Sequence, residues 1–259
     1  MPAGAFSREA APAPGPNPYR GRMDLVWAAA GAVAGVPIGT LLRGPVFRMA
    51  VPTGEPERTG CPHCGATVRR WLNASCRECR RRLGRPAVLE LVTAAVLALL
   101  CARFAGQAAV LPFGLLGVIG VALGAIDIAV YRLPDRLTLP AYLGTLGLLS
   151  LAAAVGQDAG ALLRAVLASV ALAAAYLLLA LLRPGQLGGG DVKLAGLIGL
   201  ALGWLGWSPV IYGAALGFIL SAVVSLVLLA ARRISLRSDI CFGPFMLGGA
   251  LLAILASGM

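Results

Sequence analysis

Apolar residues fill eight windows along the chain, and polar residues are concentrated between them. The windows are 24–42, 88–104, 108–130, 138–155, 160–182, 192–207, 209–231 and 244–257. Most of them approach the ~20 residues that a membrane-spanning helix needs. The pattern predicts about eight transmembrane helices and an all-α fold, although the two short windows around Ser208-Pro209 also fit one bent pair.

Composition indicates a polytopic membrane protein. Hydrophobic residues make up 59% of the 259 residues and charged residues only 13%, about half of the roughly 25% found in soluble domains. Residues 1–23 are different, because they are rich in alanine and proline and predict a disordered tail. The tail lacks the pattern of a removable signal peptide, so we expect the first span to anchor the mature chain.

Arginine is concentrated between the first two windows. Ten arginines lie there: Arg43, Arg48, Arg58, Arg69, Arg70, Arg77, Arg80, Arg81, Arg82 and Arg85. Because cytoplasmic loops keep the excess of Lys and Arg, this segment is predicted to be cytoplasmic. The net charge of +11 then reflects a basic face next to anionic lipid. We therefore expect the lipid bilayer to be a partner of this face, and we expect no nucleic-acid partner.

The same segment carries two Cys-x-x-Cys pairs. Cys61 and Cys64 form the first, Cys76 and Cys79 the second, and eleven residues separate them. This spacing is typical of a tetrahedral Cys₄ zinc site, and four sulfur ligands favour a structural Zn²⁺ over a catalytic one. Two disulfides are the alternative, which a reducing cytoplasm disfavours.

Two carboxylates are predicted to lie at membrane depth near the cytoplasmic face. Asp127 is about one turn from the end of the third window, and Asp191 opens the sixth after three glycines. Ionised groups in hydrocarbon are costly and commonly mark a functional site. Two close carboxylates do not both ionise easily, so one acid stays protonated at neutral pH. An aspartic protease needs this arrangement, since one member activates water and the other donates to the scissile carbonyl.

Other acids are given ordinary roles. Glu90 is expected to pair with an arginine at the cytoplasmic surface, Asp135 to act at the start of the fourth span, and Asp158 to be solvated or to cap a helix. The only histidine, His63, lies inside a cysteine pair, which excludes a Ser-His or Cys-His nucleophile.

Around both aspartates, the chain resembles the prepilin peptidases, also called type IV leader peptidases. The resemblance covers residues 25–255 and rests on a set of motifs. They are Ile126-Asp127-Ile128, Leu133-Pro134-Asp135-Arg136-Leu137-Thr138-Leu139-Pro140, Gly188-Gly189-Gly190-Asp191-Val192-Lys193-Leu194, both cysteine pairs, Leu89-Glu90-Leu91, Gly203-Trp204-Leu205-Gly206-Trp207 and Phe242-Gly243-Pro244-Phe245.

The resemblance implies a function that the residues alone do not specify. Asp127 and Asp191 correspond to the family's catalytic pair. Members remove a basic leader from prepilin or pseudopilin precursors of type IV pili and type II secretion, at the cytoplasmic face of the bacterial inner membrane. Many also methylate the new N-terminus with S-adenosylmethionine, an activity associated with the N-terminal part and its zinc insert.

The chain departs from the family after the first span. The usual Gly-Ser-Phe-Leu-Asn is replaced by Gly39-Thr40-Leu41-Leu42-Arg43. Methylation by this chain therefore stays open, and the loss of the asparagine favours a product with a free amine.

We expect three parts: the tail (1–23), an N-terminal membrane region (24–107) with its zinc insert (43–87), and a six-helix aspartic peptidase core (108–259). The main alternative is a transporter that uses the paired aspartates at an ion site. Such sites tend toward the bilayer midplane, whereas these acids are predicted near one face. Presenilin-like proteases share the Gly-x-Gly-Asp motif but carry a Pro-Ala-Leu triplet that is absent here, and a zinc-bearing scaffold would leave both aspartates unexplained.

Overall fold

The computed structural model describes residues 20–52, 54–68, 75–83, 87–156, 158–182, 187–233, 235 and 240–257. These ranges contain eight helices: α1 (Arg20–Met49), α2 (Val88–Arg103), α3 (Val110–Val130), α4 (Asp135–Gly156), α5 (Ala159–Leu182), α6 (Gly189–Leu205), α7 (Trp207–Ala230) and α8 (Gly243–Ala256). Only isolated bridges, such as Gly60 with Thr67, represent β pairing in the described part. The predicted all-α polytopic membrane fold is confirmed.

Five helices, α1, α3, α4, α5 and α7, are long and apolar enough to cross a membrane. The other three are shorter, with 16 residues in α2, 17 in α6 and 14 in α8. Helices satisfy their own backbone hydrogen bonds, which lipid cannot do. The eight apolar windows therefore become eight separate helices.

Several helix boundaries differ from the sequence expectation. α1 begins at Arg20, so residues 20–23 of the predicted tail are helical, while residues 1–19 lie outside the described part. The break between α6 and α7 falls at Gly206, whose φ of 147° needs a glycine, and not at Ser208-Pro209. Pro209 lies in the first turn of α7, where a missing N–H costs little.

Helix α6 lies at the centre of the bundle. Its residues 194–203 are buried on every side, and it packs against α4, α5, α7 and α8. Small residues allow the close approach of α5: a Cβ added at Gly199 would stand 2.6 Å from the carbonyl oxygen of Ala168. The Asp191 end of α6 is thereby held firmly against its neighbours.

Helices α1 and α2 form a tightly packed pair through glycines spaced four apart. A Cβ at Gly31 would lie 2.5 Å from the Leu97 carbonyl oxygen, and one at Gly39 would lie 2.6 Å from Cα of Glu90. Small residues at this spacing let membrane helices approach backbone to backbone. Arg43 follows Gly39 by one turn, which places its side chain beside Glu90.

The cysteine insert has a small core of its own. Cys61, Val68, Cys76 and Leu83 are buried together, and Phe47 of α1 packs against them. The last turn of α1 therefore supports the insert.

Candidate active site

Asp127 occupies the last turn of α3 and faces the start of α8. Its side chain is only 4% exposed. The backbone N–H of Gly243 donates to Oδ2 of Asp127 at 3.0 Å. A side chain at position 243 would collide with this carboxylate, because an added Cβ would stand 2.7 Å from the same oxygen. Glycine at the first residue of α8 therefore permits the contact.

Asp191 lies in the first turn of α6 and is half-buried. The backbone N–H of Gly188 donates to its Oδ2 at 3.1 Å, and the N–H of Asp191 returns a bond of 3.0 Å to the Gly188 carbonyl. This reciprocal arrangement caps the helix and fixes the direction of the carboxylate. Each acid thus has one oxygen held by a single backbone N–H.

The structure brings the two acids to the same end of the bundle. The charge of Asp191 acts on Asp127, and both charges act on the Cys241 thiol just before α8. The phenol of Tyr176, on α5, is also within range of the Asp191 charge. The site is therefore assembled from the end of α3, the start of α6, the start of α8 and one side chain of α5.

An aromatic cluster supports this end of the bundle. The rings of Tyr176, Phe218 and Phe242 lie 5.0 to 6.2 Å apart, centroid to centroid. Separations of this size are favourable for aromatic pairs. Because Phe242 precedes Gly243, the cluster packs directly behind the N–H group that holds Asp127.

The other predicted acids make structural contacts. Asp135 lies in the first turn of α4 and forms an ion pair with Lys193, 2.6 Å from Oδ1 to Nζ. Glu90 pairs with Arg43, and Asp158 accepts a hydrogen bond from the Ala161 N–H at the start of α5. Lys193, two residues beyond Asp191, is therefore paired with Asp135.

The Arg43–Glu90 pair is more buried than the predicted surface pair. Arg43 is 2% exposed, and its Nε and Nη2 both lie 2.5 Å from Oε1 of Glu90. The Thr40 hydroxyl donates to the same oxygen at 3.2 Å. Nη1 of Arg43 and Oε2 of Glu90 are buried without a hydrogen-bond partner.

The four cysteines of the two pairs converge as the spacing predicted. Their sulfur atoms all lie within 4.8 Å of one another, so they could bind a metal ion. Cys61 and Cys79 are 3.7 Å apart between sulfurs, and Cys64 and Cys76 are 3.6 Å apart. All six cysteines of the chain are free, which excludes the disulfide alternative in this structure.

The backbone around the cysteine cluster already favours a thiolate. Hydrogen bonds from the N–H groups of His63 and Cys64 lower the pKa of Cys61 to about 7, although burial opposes them. The Ala66 N–H also lowers the pKa of Cys64, but burial and the neighbouring sulfurs outweigh it and raise that pKa to about 12. Backbone N–H groups therefore favour the thiolate of Cys61, and a bound cation would favour thiolates in the cluster.

Sequence reasoning missed two contributors to the site. Gly243 entered only as part of a family motif, and the pattern around it did not indicate that its N–H would reach Asp127, 116 positions away. Tyr176 lies in an unbroken apolar window, where a tyrosine is commonly a packing residue. The one available signal was the position of Tyr176 near the cytoplasmic end of its window, the end to which both acids were assigned.

The fold and site define a multi-pass membrane protein with a carboxylate pair at one end of its helical bundle and a four-cysteine cluster beside it. The sequence profile of the type IV leader peptidase family matches residues 114–231, which include both acids. This part of the chain is therefore similar to the type IV leader peptidase family.

Curated relatives agree with this match. The chain is 32% identical to a prepilin leader peptidase/N-methyltransferase of Burkholderia pseudomallei, over 74% of this chain and 65% of that protein. It is 29% identical to one of Aeromonas hydrophila, over 82% of this chain and 74% of that protein. It is 27% identical to one of Pseudomonas putida, over 86% of this chain and 88% of that protein. The chain thus spans just under two thirds of the Burkholderia relative. No solved structure matches it. These relatives do not support the transporter interpretation.

Proposed function

We propose that this protein is a membrane aspartic endopeptidase that removes the leader from prepilin-like precursors, with Asp127 and Asp191 as its catalytic pair. The observation that carries the proposal is the convergence of the two carboxylates at one end of the bundle, each with Oδ2 held by a backbone N–H. The names of its relatives, prepilin leader peptidase/N-methyltransferase, support the substrate class.

Because Oδ2 of each acid accepts a backbone hydrogen bond, Oδ1 of each acid is available to act on the substrate. One acid, ionised, takes a proton from a water molecule as the water oxygen bonds to the scissile carbonyl carbon. The other acid, protonated, donates to the carbonyl oxygen. When the tetrahedral intermediate collapses, the carbon–nitrogen bond breaks and the departing amine takes up a proton from the pair. The products are the leader with a carboxylate end and the mature protein with a new amino terminus.

The acid-bearing end of the bundle is assigned to the cytoplasmic face of a bacterial inner membrane. The insert and the α3–α4 loop share this end and carry most of the described arginines, whereas Arg22, Arg103 and Arg164 lie at the opposite end. The excess of positive charge follows the rule for cytoplasmic loops. A basic leader emerging from the cytoplasmic side would meet the acids there.

We assign Zn²⁺ to the four cysteines. In a regular tetrahedron with zinc–sulfur bonds of about 2.3 Å, sulfurs are about 3.8 Å apart. Two of the six sulfur separations, 3.6 and 3.7 Å, are close to this value, and all lie within 4.8 Å. Four protein ligands leave no open position for water, so the metal would hold the insert together and would take no part in hydrolysis.

We propose that Arg43 disfavours S-adenosylmethionine at the family's departure point. The cofactor carries a sulfonium cation, which needs neutral or acidic partners. Arg43 buries a guanidinium there and occupies Oε1 of Glu90, the acid nearest to it. We therefore propose that the chain cleaves precursors without methylating them.

The catalytic assignment is tested by Asp127→Asn and Asp191→Asn in membranes that also contain a prepilin precursor. Each variant should lose at least about 100-fold in the rate of leader removal, because general acid–base groups contribute 10²–10⁴-fold. Mass measurement of the pilin N-terminus reports the cleavage. Both variants should still accumulate in the membrane.

Asp158→Asn serves as the matched control. It makes the same chemical change at a carboxylate that caps α5 at the far end of the bundle, and asparagine can also cap. Its cleavage rate should equal that of the unaltered protein. A normal rate in either Asp127→Asn or Asp191→Asn would overturn the assignment.

A further inference from the structure

An apolar groove runs along the lipid-facing surface between α2, α3 and α8. Its volume is about 310 Å³, and every lining side chain is apolar. It extends from Leu100, Phe113 and Ile254 at one end to Val88, Ile128 and Pro244 at the other. The exposed fractions of Val88 (56%) and Ile128 (62%) leave the second end open.

The length of the groove is that of a membrane-embedded helix. On α3 the wall runs from Phe113 to Ile128, fifteen residues, or about 23 Å at 1.5 Å per residue. The hydrocarbon core of a bilayer is about 30 Å thick. A helix that lay against the groove, with its side chains in it, would thus extend along most of the membrane.

The groove ends at residues next to Asp127 and Gly243. Ile128 directly follows Asp127, and Pro244 directly follows Gly243, whose N–H holds Asp127. The path changes from apolar to polar at this point.

A second cavity, of about 400 Å³, begins at Gly190, next to Asp191. It is polar and contains the carboxylates of Glu55, Glu57 and Asp135. Its cations, Arg132, Arg136 and Lys193, equal these acids in number, and Arg136 is paired with Glu57 and Lys193 with Asp135. Residues adjacent to the two acids therefore line an apolar groove and a polar cleft.

We propose that the groove between α2, α3 and α8 binds the apolar membrane helix of the precursor, while its basic leader lies in the polar cleft. This inference rests on the proposed peptidase function. A peptide whose polar, basic leader is followed by an apolar helix has the same change of polarity as the groove and the cleft. Its junction, where the leader is cut, would lie at Asp127 and Asp191. An acyl chain would suit the groove alone but not the cleft.

Val92 is suited to test the groove because it lines the groove and is 44% exposed. Val92→Trp should fill the space with little disturbance of the helices, and should lower kcat/KM for a full-length prepilin about tenfold, mainly through KM. A short peptide that contains the leader and the scissile bond, but lacks the apolar helix, should be cleaved at the normal rate. Leu91→Trp is the matched control, since Leu91 is adjacent on α2, 67% exposed and outside the groove. It should cleave both substrates normally.

A photo-crosslinking amino acid at each position gives a readout that does not depend on activity. With full-length prepilin in nanodiscs, position 92 should capture the apolar segment of the precursor, and position 91 should not. Capture of lipid alone at position 92, equal capture at both positions, or normal cleavage of full-length prepilin by Val92→Trp would overturn the proposal. If position 92 captures the apolar segment but the unaltered protein cuts no precursor, the groove assignment stands and the peptidase function fails.

Discussion

Gly243→Ala should impair catalysis while leaving the helices intact. The new Cβ would stand 2.7 Å from Oδ2 of Asp127 and 3.2 Å from its Cγ, whereas ordinary contacts are 3.4 Å or longer. The carboxylate must therefore move by about 0.7 Å, the difference between the two distances. A misplacement of about 1 Å at a reacting group can cost 10²-fold, and a weakened hydrogen bond to a charged group costs about 1.5–3 kcal/mol. We expect a fall in kcat of about 10- to 100-fold.

The assay measures kcat and KM for leader removal from a labelled prepilin in nanodiscs, together with thermal unfolding. Gly147→Ala is the matched control, because it also adds a methyl group to a helical glycine but meets no atom within 4 Å. Its kcat should be that of the unaltered protein. If Gly243→Ala cleaves within about twofold of Gly147→Ala, Gly243 does not position Asp127 in the way inferred here.

Three further outcomes follow from the contacts of the N-terminal part. Purified, reduced protein should contain one zinc per chain, and Cys64→Ser should lose it; elemental analysis that finds no metal in unchelated preparations would contradict the assignment. Glu90→Ala should destabilise the protein by about 3–5 kcal/mol, because it leaves Arg43 buried without its partner; an unchanged unfolding transition would exclude a structural role for the pair. Mature pilin should leave with a free amine, and a mass gain of one methyl group that depends on this protein would refute the absence of methylation.

The fold was accessible from the sequence because membrane helices are defined by a local property. A continuous apolar window forms a helix whatever surrounds it, since lipid offers the backbone no other hydrogen bonds. The cysteine cluster was accessible for a related reason, because two short turns bring each pair of thiols together. The end of α1 was harder to place, because the helix continues through Pro45 to Met49, beyond its apolar window.

Contacts between distant windows were not accessible in the same way. Hydropathy assigns Asp127 and Asp191 to one face, but it does not specify which helix start reaches Asp127. The bond from Gly243 depends on how α8 packs against α3. Likewise, an arginine partner was expected for Glu90 at the cytoplasmic surface. The partner is Arg43, and the pair is buried beneath the surface. The glycines of α1 determine this, because they set both the register and the closeness of α1 and α2.

The position of the insert gives a structural metal an indirect route to the active site. Phe47 and Arg48, in the last turn of α1, contact the insert: the phenyl ring packs on its core, and the guanidinium donates to the Val68 carbonyl at 3.0 Å. Glu57 pairs with Arg136, at the start of α4, and the Arg132 guanidinium donates to the Pro52 carbonyl at 3.2 Å. Arg132 lies in the loop that follows α3 and Asp127, and Arg136 lies in the first turn of α4 just after this loop. Loss of zinc should therefore loosen the loop that follows Asp127. Cleavage should then slow because the Asp127 carboxylate is displaced, although no reacting group is removed.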